Sequence, residues 1–211
     1  MSIAVKTPLE MFYRWEQETP EHIYLRQPKA LQWQEYSWRM VADQVRRIAS
    51  FLREQNYPAG SRIALWSGNS KDWPIVDLAI MLAGHISVPL YPGQDVESAN
   101  YILKHSASQL IFLGSFDVYQ HADQAIPSGT TRVAMLGTQV PCSISLEQIV
   151  REYSAYPESP VPDAEATFTI IYTSGTTGNP KGVMHAHATP GHVCPDFTKA
   201  MKFEVGNTRF F

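Results

Sequence analysis

Short apolar runs alternate with segments that carry helix signals, and this alternation constrains the fold more than any other feature of the chain. The runs cover 62–66, 86–91, 109–113, 132–136 and 167–172. Each is apolar along its length rather than at every second residue, as in strands covered on both faces. The segments between them predict helices over 72–83, 96–105, 116–124 and 145–153. Asp72 opens the first of these, with Trp73 and Pro74 in its first turn, and Gly84 ends it. Strand, helix, strand in succession requires parallel pairing through helical crossovers. The expected fold class is α/β, a mostly parallel sheet flanked by helices.

The start of the chain adds two helices and a hairpin. Thr7 caps the first helix, Pro8 takes its first position and Glu10 completes a capping box, with an end near Thr19-Pro20. Extended runs over 22–27 and 30–36 predict a hairpin turning at Pro28-Lys29. Ser37 caps a long helix whose apolar face is Val41, Val45, Ile48, Ala49 and Leu52, and Pro58-Ala59-Gly60 stops it. Trp15, Trp33, Trp38, Trp66 and Trp73 are expected as core or half-buried packing residues. Residues 157–166 carry Pro157, Pro160 and Pro162 among acidic residues, and are expected to form an internal surface linker.

Composition narrows the function classes. With 44% hydrophobic and 18% charged residues among 211, the chain is globular rather than disordered. A formal charge of −3 gives no basic excess, so no nucleic-acid partner is expected. Two cysteines, Cys142 and Cys194, fit a reducing compartment, and a cytoplasmic location is expected. Residues 1–15 lack the apolar core of a signal peptide. The longest apolar run, 75–83, is interrupted by Asp77 and is far shorter than the roughly 20 residues that span a bilayer. Peripheral contact with a membrane is left open.

The chemistry is concentrated in Tyr172-Thr173-Ser174-Gly175-Thr176-Thr177-Gly178-Asn179-Pro180-Lys181-Gly182, which follows a strand and precedes an extended run over 183–187. Gly175, Gly178 and Gly182 allow backbone turns and close approach to a ligand. Successive amides in such a turn form an anion-binding concavity. The hydroxyls of Thr173, Ser174, Thr176 and Thr177 suit phosphate oxygens, and Lys181 adds a point charge with flexible reach. The candidate phosphate-binding residues are therefore Thr173, Ser174, Gly175, Thr176, Thr177, Gly178 and Lys181. The pattern differs from the common P-loop, because Pro180 stands where its second glycine belongs and Gly182 follows the lysine. No Gly-x-Ser-x-Gly elbow marks a hydrolase. His185, His187, His192 and Cys194 are of zinc-ligating types, but they lack a paired Cys-x-x-Cys. Pro190 and Gly191 also interrupt them, so no metal site is assigned.

From Thr173 to Gly182 the segment resembles the signature of the adenylate-forming superfamily, which includes acyl-CoA synthetases and the adenylation domains of peptide synthetases. Arg62-Ile63-Ala64-Leu65-Trp66-Ser67-Gly68-Asn69-Ser70, with Asp72-Trp73, resembles a strand and following helix of acyl-CoA synthetases. The stretch from Ala83-Gly84-His85 through Val88-Pro89-Leu90-Tyr91-Pro92 resembles another of their segments. Thr169-Ile170-Ile171-Tyr172 and Val183-Met184-His185 tilt the likeness toward long-chain fatty-acid CoA ligases.

The resemblance implies the N-terminal portion of the AMP-binding domain across 1–211. It implies ATP, Mg²⁺ and coenzyme A as cofactors and a fatty acid or other carboxylic acid as substrate. The loop would embrace the β- and γ-phosphates. Family members are more than twice as long, and their adenine pocket, metal-binding acid, ribose-binding aspartate, hinge and catalytic lysine lie in later parts. None of these has a counterpart in the 211 residues. No catalytic residue is therefore assigned. The chain by itself is expected to show no fatty-acid-dependent ATP–pyrophosphate exchange above a Lys181→Ala control, and to self-associate through uncovered apolar surface. A ligase for other acyl or aryl acids, an adenylation domain, and a non-enzymatic phosphate-binding module stay open as alternatives.

Overall fold

A computed structural model of the chain describes residues 6–115, 119–173 and 178–200. Helix α1 (Pro8–Glu18) starts on the predicted capping box. Glu10 N donates to Thr7 Oγ1 at 3.3 Å, and Thr7 N donates to Glu10 Oε2 at 2.8 Å. The hairpin pairs β1 (Ile23–Lys29) with β2 (Gln32–Ser37). Its turn falls at Ala30-Leu31, with φ of 45° and 67°, and not at Pro28-Lys29 as the sequence predicted. Pro28 instead lies within β1, in a two-stranded ribbon where a missing N–H is tolerated. Trp33 corrects a second expectation: it lies on β2 and is 56% exposed. Ser37 caps α2 (Trp38–Glu54) by accepting from Met40 N.

Beyond α2 the alternation holds. The elements are β3 (Arg62–Trp66), α3 (Asp72–Leu82), β4 (Ile86–Leu90), α4 (Val96–His105), β5 (Leu110–Leu113) and α5 (Tyr119–Ala125). They continue with β6 (Thr131–Ala134), β7 (Ile144–Ser145), α6 (Leu146–Glu152), β8 (Thr167–Thr173), β9 (Lys181–Ala186) and α7 (Thr189–Ala200). The predicted start of α5, 116–118, lies outside the described residues. β3 to β9 form a seven-stranded sheet in the order β7-β6-β5-β3-β4-β8-β9. Every pair is parallel except β8–β9, which is antiparallel. The fold class is thus the α/β, mostly parallel architecture that the alternation predicts.

The sheet is covered on both faces, which explains its uninterrupted apolar strands. Ile63 and Leu65 of β3 pack into one cluster with side chains of α1, α2, α3 and α6. Ala64 and Trp66, the intervening residues, pack into a second with side chains of α4 and α5. The coil over 157–166 crosses α1 and α2 under the hold of Arg46. That guanidinium donates to Tyr156 O, Glu158 O and Ser159 Oγ, and pairs with Glu16 at 2.7 Å. Tyr13 Oη donates to Pro160 O at 3.0 Å.

Asp77 gives this core a pH dependence. It lies on α3 near buried Ser87 of β4, and burial pushes its carboxyl from 3.8 up to about 6. The neighbouring Ser87 hydroxyl opposes that rise. A raised carboxyl pKa favours the protonated form in the fold. Stability is then full below pH 4 and is lost as pH rises through 6, by at most about 3 kcal/mol. Asp77→Asn is expected to remove that slope and to raise the neutral-pH stability. Urea unfolding of both chains at pH 4.5 and 7.5 checks this, and equal slopes would count against it.

Candidate functional site

The candidate loop leaves and re-enters the sheet at one place. Thr173 ends β8, Lys181 begins β9, and the two are direct Cα partners in the antiparallel ladder. β8 runs parallel to β4, so the loop leaves from the carboxyl end of the parallel strands. That end is where open α/β sheets take ligands. Ser174, Gly175, Thr176 and Thr177 lie outside the described residues. Thr173, Gly178 and Lys181 are described, and all three are exposed. Gly178 has a φ of 137°, a conformation that favours glycine. Among the described residues, no acidic group pairs with Lys181. An ammonium with no acidic partner among the described residues, across the ladder from the exposed Thr173, suits an anion.

Gly182 also meets a packing need that its place in the sequence does not show. A Cβ there would lie 2.8 Å from Ile170 Cγ2 and 3.1 Å from Tyr172 Cζ. The missing side chain makes room for residues of the neighbouring strand. Tyr172 is itself buried, at 5% exposure, in the cluster under α4 and α5. Its hydroxyl shares a 2.7 Å hydrogen bond with His105 Nδ1, the donor depending on the imidazole tautomer. Burial raises the Tyr172 pKa, Tyr101 adds to the rise, and Arg62 opposes it. Sequence reasoning did not single out His105: it lies 67 residues from Tyr172, and no local pattern links the two.

The histidines after the loop disperse. His185 is half-buried on β9, whereas β9 ends at Ala186 and His187 turns into the interior. There its N–H donates to Ala166 O at 3.0 Å, and its ring lies 5.4 Å from that of Phe168. Burial lowers the His187 pKa, and Asp163 opposes that shift. Pro190 and Gly191, which stand between His187 and His192 in the sequence, lie in the first turn of α7. Proline is tolerated there because that N–H has no helical partner. His192 and Cys194 are exposed on α7. Among the described residues no group of three or more His, Cys, Asp or Glu side chains is arranged to hold a metal, so Mg²⁺ is assigned no ligand. Among them also, no helix is long and apolar enough to cross a membrane.

The family described as AMP-binding enzyme matches residues 12–203. The chain is similar to a long-chain-fatty-acid–CoA ligase, FadD15 of Mycobacterium bovis (strain ATCC BAA-935 / AF2122/97). The two are 25% identical over 185 residues, which cover 82% of this chain and 30% of the ligase. It is similar as well to a 4-hydroxybenzoate–CoA/benzoate–CoA ligase of Rhodopseudomonas palustris (strain ATCC BAA-98 / CGA009). Here identity is 30% over 159 residues, covering 73% of this chain and 29% of that one. The chain thus spans less than a third of either ligase. Among solved structures, the anthranilate CoA ligase AuaEII shares the fold with a TM-score of 0.75 and 20% identity, over 87% of this chain and 35% of that chain.

Proposed function

The chain belongs to the AMP-binding enzyme family, and from that premise we propose that residues 173–181 clamp the pyrophosphate portion of ATP in an acid–thiol ligase. The observation that carries this is the Thr173–Lys181 rung at the carboxyl end of the sheet, with Lys181 free of acidic partners among the described residues.

In the proposed reaction a carboxylate oxygen attacks the α-phosphorus of ATP. The bond to the bridging oxygen breaks, giving an acyl-adenylate and pyrophosphate. The thiol of coenzyme A then attacks the acyl carbonyl, loses its proton, and displaces AMP. The loop's contribution lies in the first step. Lys181 and the hydroxyls of Thr173, Ser174, Thr176 and Thr177 hold the β- and γ-phosphates and offset the charge that grows on the departing pyrophosphate.

For the acid we propose a long-chain fatty acid. The support is the FadD15 match and the residues flanking the loop, Thr169 to Tyr172 and Val183 to His185. The benzoate ligase, at higher identity over a shorter stretch, favours an aryl acid as the second reading. ATP–pyrophosphate exchange by the longest protein that carries these 211 residues decides between them. Exchange stimulated by palmitate over benzoate is expected. The reverse order would replace the fatty acid with an aryl acid, and no stimulation by any carboxylate would sink the ligase reading.

A further inference from the structure

We infer that His105 is a positioning residue for the phosphate clamp, acting through Tyr172. The inference rests on the reading of 173–181 as that clamp. Tyr172 directly precedes Thr173, and its Cα partner across the ladder is Gly182, which directly follows Lys181. The Tyr172–Gly182 rung therefore borders both ends of the loop, and whatever fixes this rung fixes where the loop starts and finishes.

Three contacts fix it. The Tyr172 ring lies across Gly182, where a Cβ would meet Cζ at 3.1 Å. The Tyr172 hydroxyl shares its 2.7 Å hydrogen bond with His105 Nδ1. The imidazole in turn stacks on Tyr101, one helical turn earlier, with ring centroids 5.3 Å apart and planes at 24°. The anchor is itself held. His105 is the last residue of α4, and Arg62 Nε of β3 donates to the next carbonyl, Ser106 O, at 2.6 Å. The end of α4 is thus tied to the central sheet, and His105 carries that fixed reference to the root of the loop. Tyr172 is 5% exposed, so losing its partner would leave a buried hydroxyl to find another by moving the rung.

Two substitutions separate the hydrogen bond from the packing. His105→Phe keeps a ring to stack on Tyr101 and removes the bond. His105→Asn places a polar atom near the position of Nδ1 and removes the stack. Calorimetric titration of the 211-residue chain with inorganic pyrophosphate reads the outcome, with thermal melting in parallel. His105→Phe and Tyr172→Phe are each expected to weaken binding about tenfold, the effect of one hydrogen bond. The double variant is expected to lose no more than either alone. His105→Asn is expected to bind within about threefold of the unsubstituted chain. If His105→Phe fails to fold, Tyr172→Phe, which deletes one oxygen, carries the same test. Unchanged affinity in the folded His105→Phe and Tyr172→Phe chains, with weakened affinity in Lys181→Ala, would overturn the role of His105 and leave the clamp standing. Binding that is absent from the unsubstituted chain, or indifferent to Lys181→Ala, would overturn the clamp and this inference together.

Discussion

Replacing Lys181 with alanine is expected to slow acyl-adenylate formation tens-fold or more in the protein that carries these residues. Lys181 begins β9 directly opposite Thr173, and no acidic partner among the described residues neutralises it. Its charge is therefore available to a ligand. Removing one preorganised electrostatic group from a reaction centre commonly lowers the rate by about a hundredfold or more. Exposure to water at this position argues for the lower part of that range. The loss should fall on the rate of the adenylation burst rather than on the affinity for the carboxylate, because the role proposed for Lys181 is to offset charge on the departing pyrophosphate. Rapid-quench measurement of acyl-adenylate checks this. A burst of unchanged rate in Lys181→Ala would remove the residue from the mechanism.

The second large effect is on stability. Trp66 ends β3 with 0% exposure, and its indole Nε1 donates to Tyr91 O at 3.0 Å. It is among the largest fully buried side chains and belongs to the cluster that also receives Tyr172. Trp66→Ala removes its dispersion contacts, opens a cavity in close-packed surroundings and leaves the Tyr91 carbonyl without that donor. Such truncations cost about 3–5 kcal/mol. For a domain of this size each kcal/mol lowers the melting temperature by about 2–4 °C. A fall on the order of 10 °C is expected by circular dichroism. Trp66→Phe should recover part of it, since the ring volume is largely kept while the donor is lost. A fall of only a degree or two in Trp66→Ala would mean that the cluster collapses around the gap without cost.

The parts of the fold that were legible in the sequence are those set by local chemistry. Thr7, Pro8 and Glu10 specify the start of α1 within one turn of chain, and the structure contains both hydrogen bonds of the box. Ser37 caps α2 for the same reason. The unbroken apolar run of β3 announced a strand buried on both sides, because Ile63 and Leu65 serve one face and Ala64 and Trp66 the other.

What the sequence hid is set by partners distant in the chain. Pro28-Lys29 carries a turn signal, yet the ribbon turns at Ala30-Leu31 in backbone conformations that glycine or asparagine usually supplies. Trp33 is apolar enough for a core and lies on a ribbon that leaves it exposed. β9 runs antiparallel in an otherwise parallel sheet, because a short loop lets the chain return directly along β8. Gly182 carries the composition of a ligand-contacting glycine, and only the placement of Tyr172 and Ile170 shows what it accommodates. His105 was invisible on the same grounds. A histidine in the last turn of a helix has an ordinary local explanation, favourable interaction with the helix dipole. Its bond to Tyr172 exists only once α4 and β8 are packed.

Residues 173–181 are proposed to bind phosphate groups, and backbone amide shifts report on that binding residue by residue. Inorganic pyrophosphate titrated into the ¹⁵N-labelled 211-residue chain is expected to shift the amides of 173–182 along one saturable curve, and Lys181→Ala is expected to weaken that curve. Saturable shifts centred elsewhere on the chain, or none within 173–182, would contradict it.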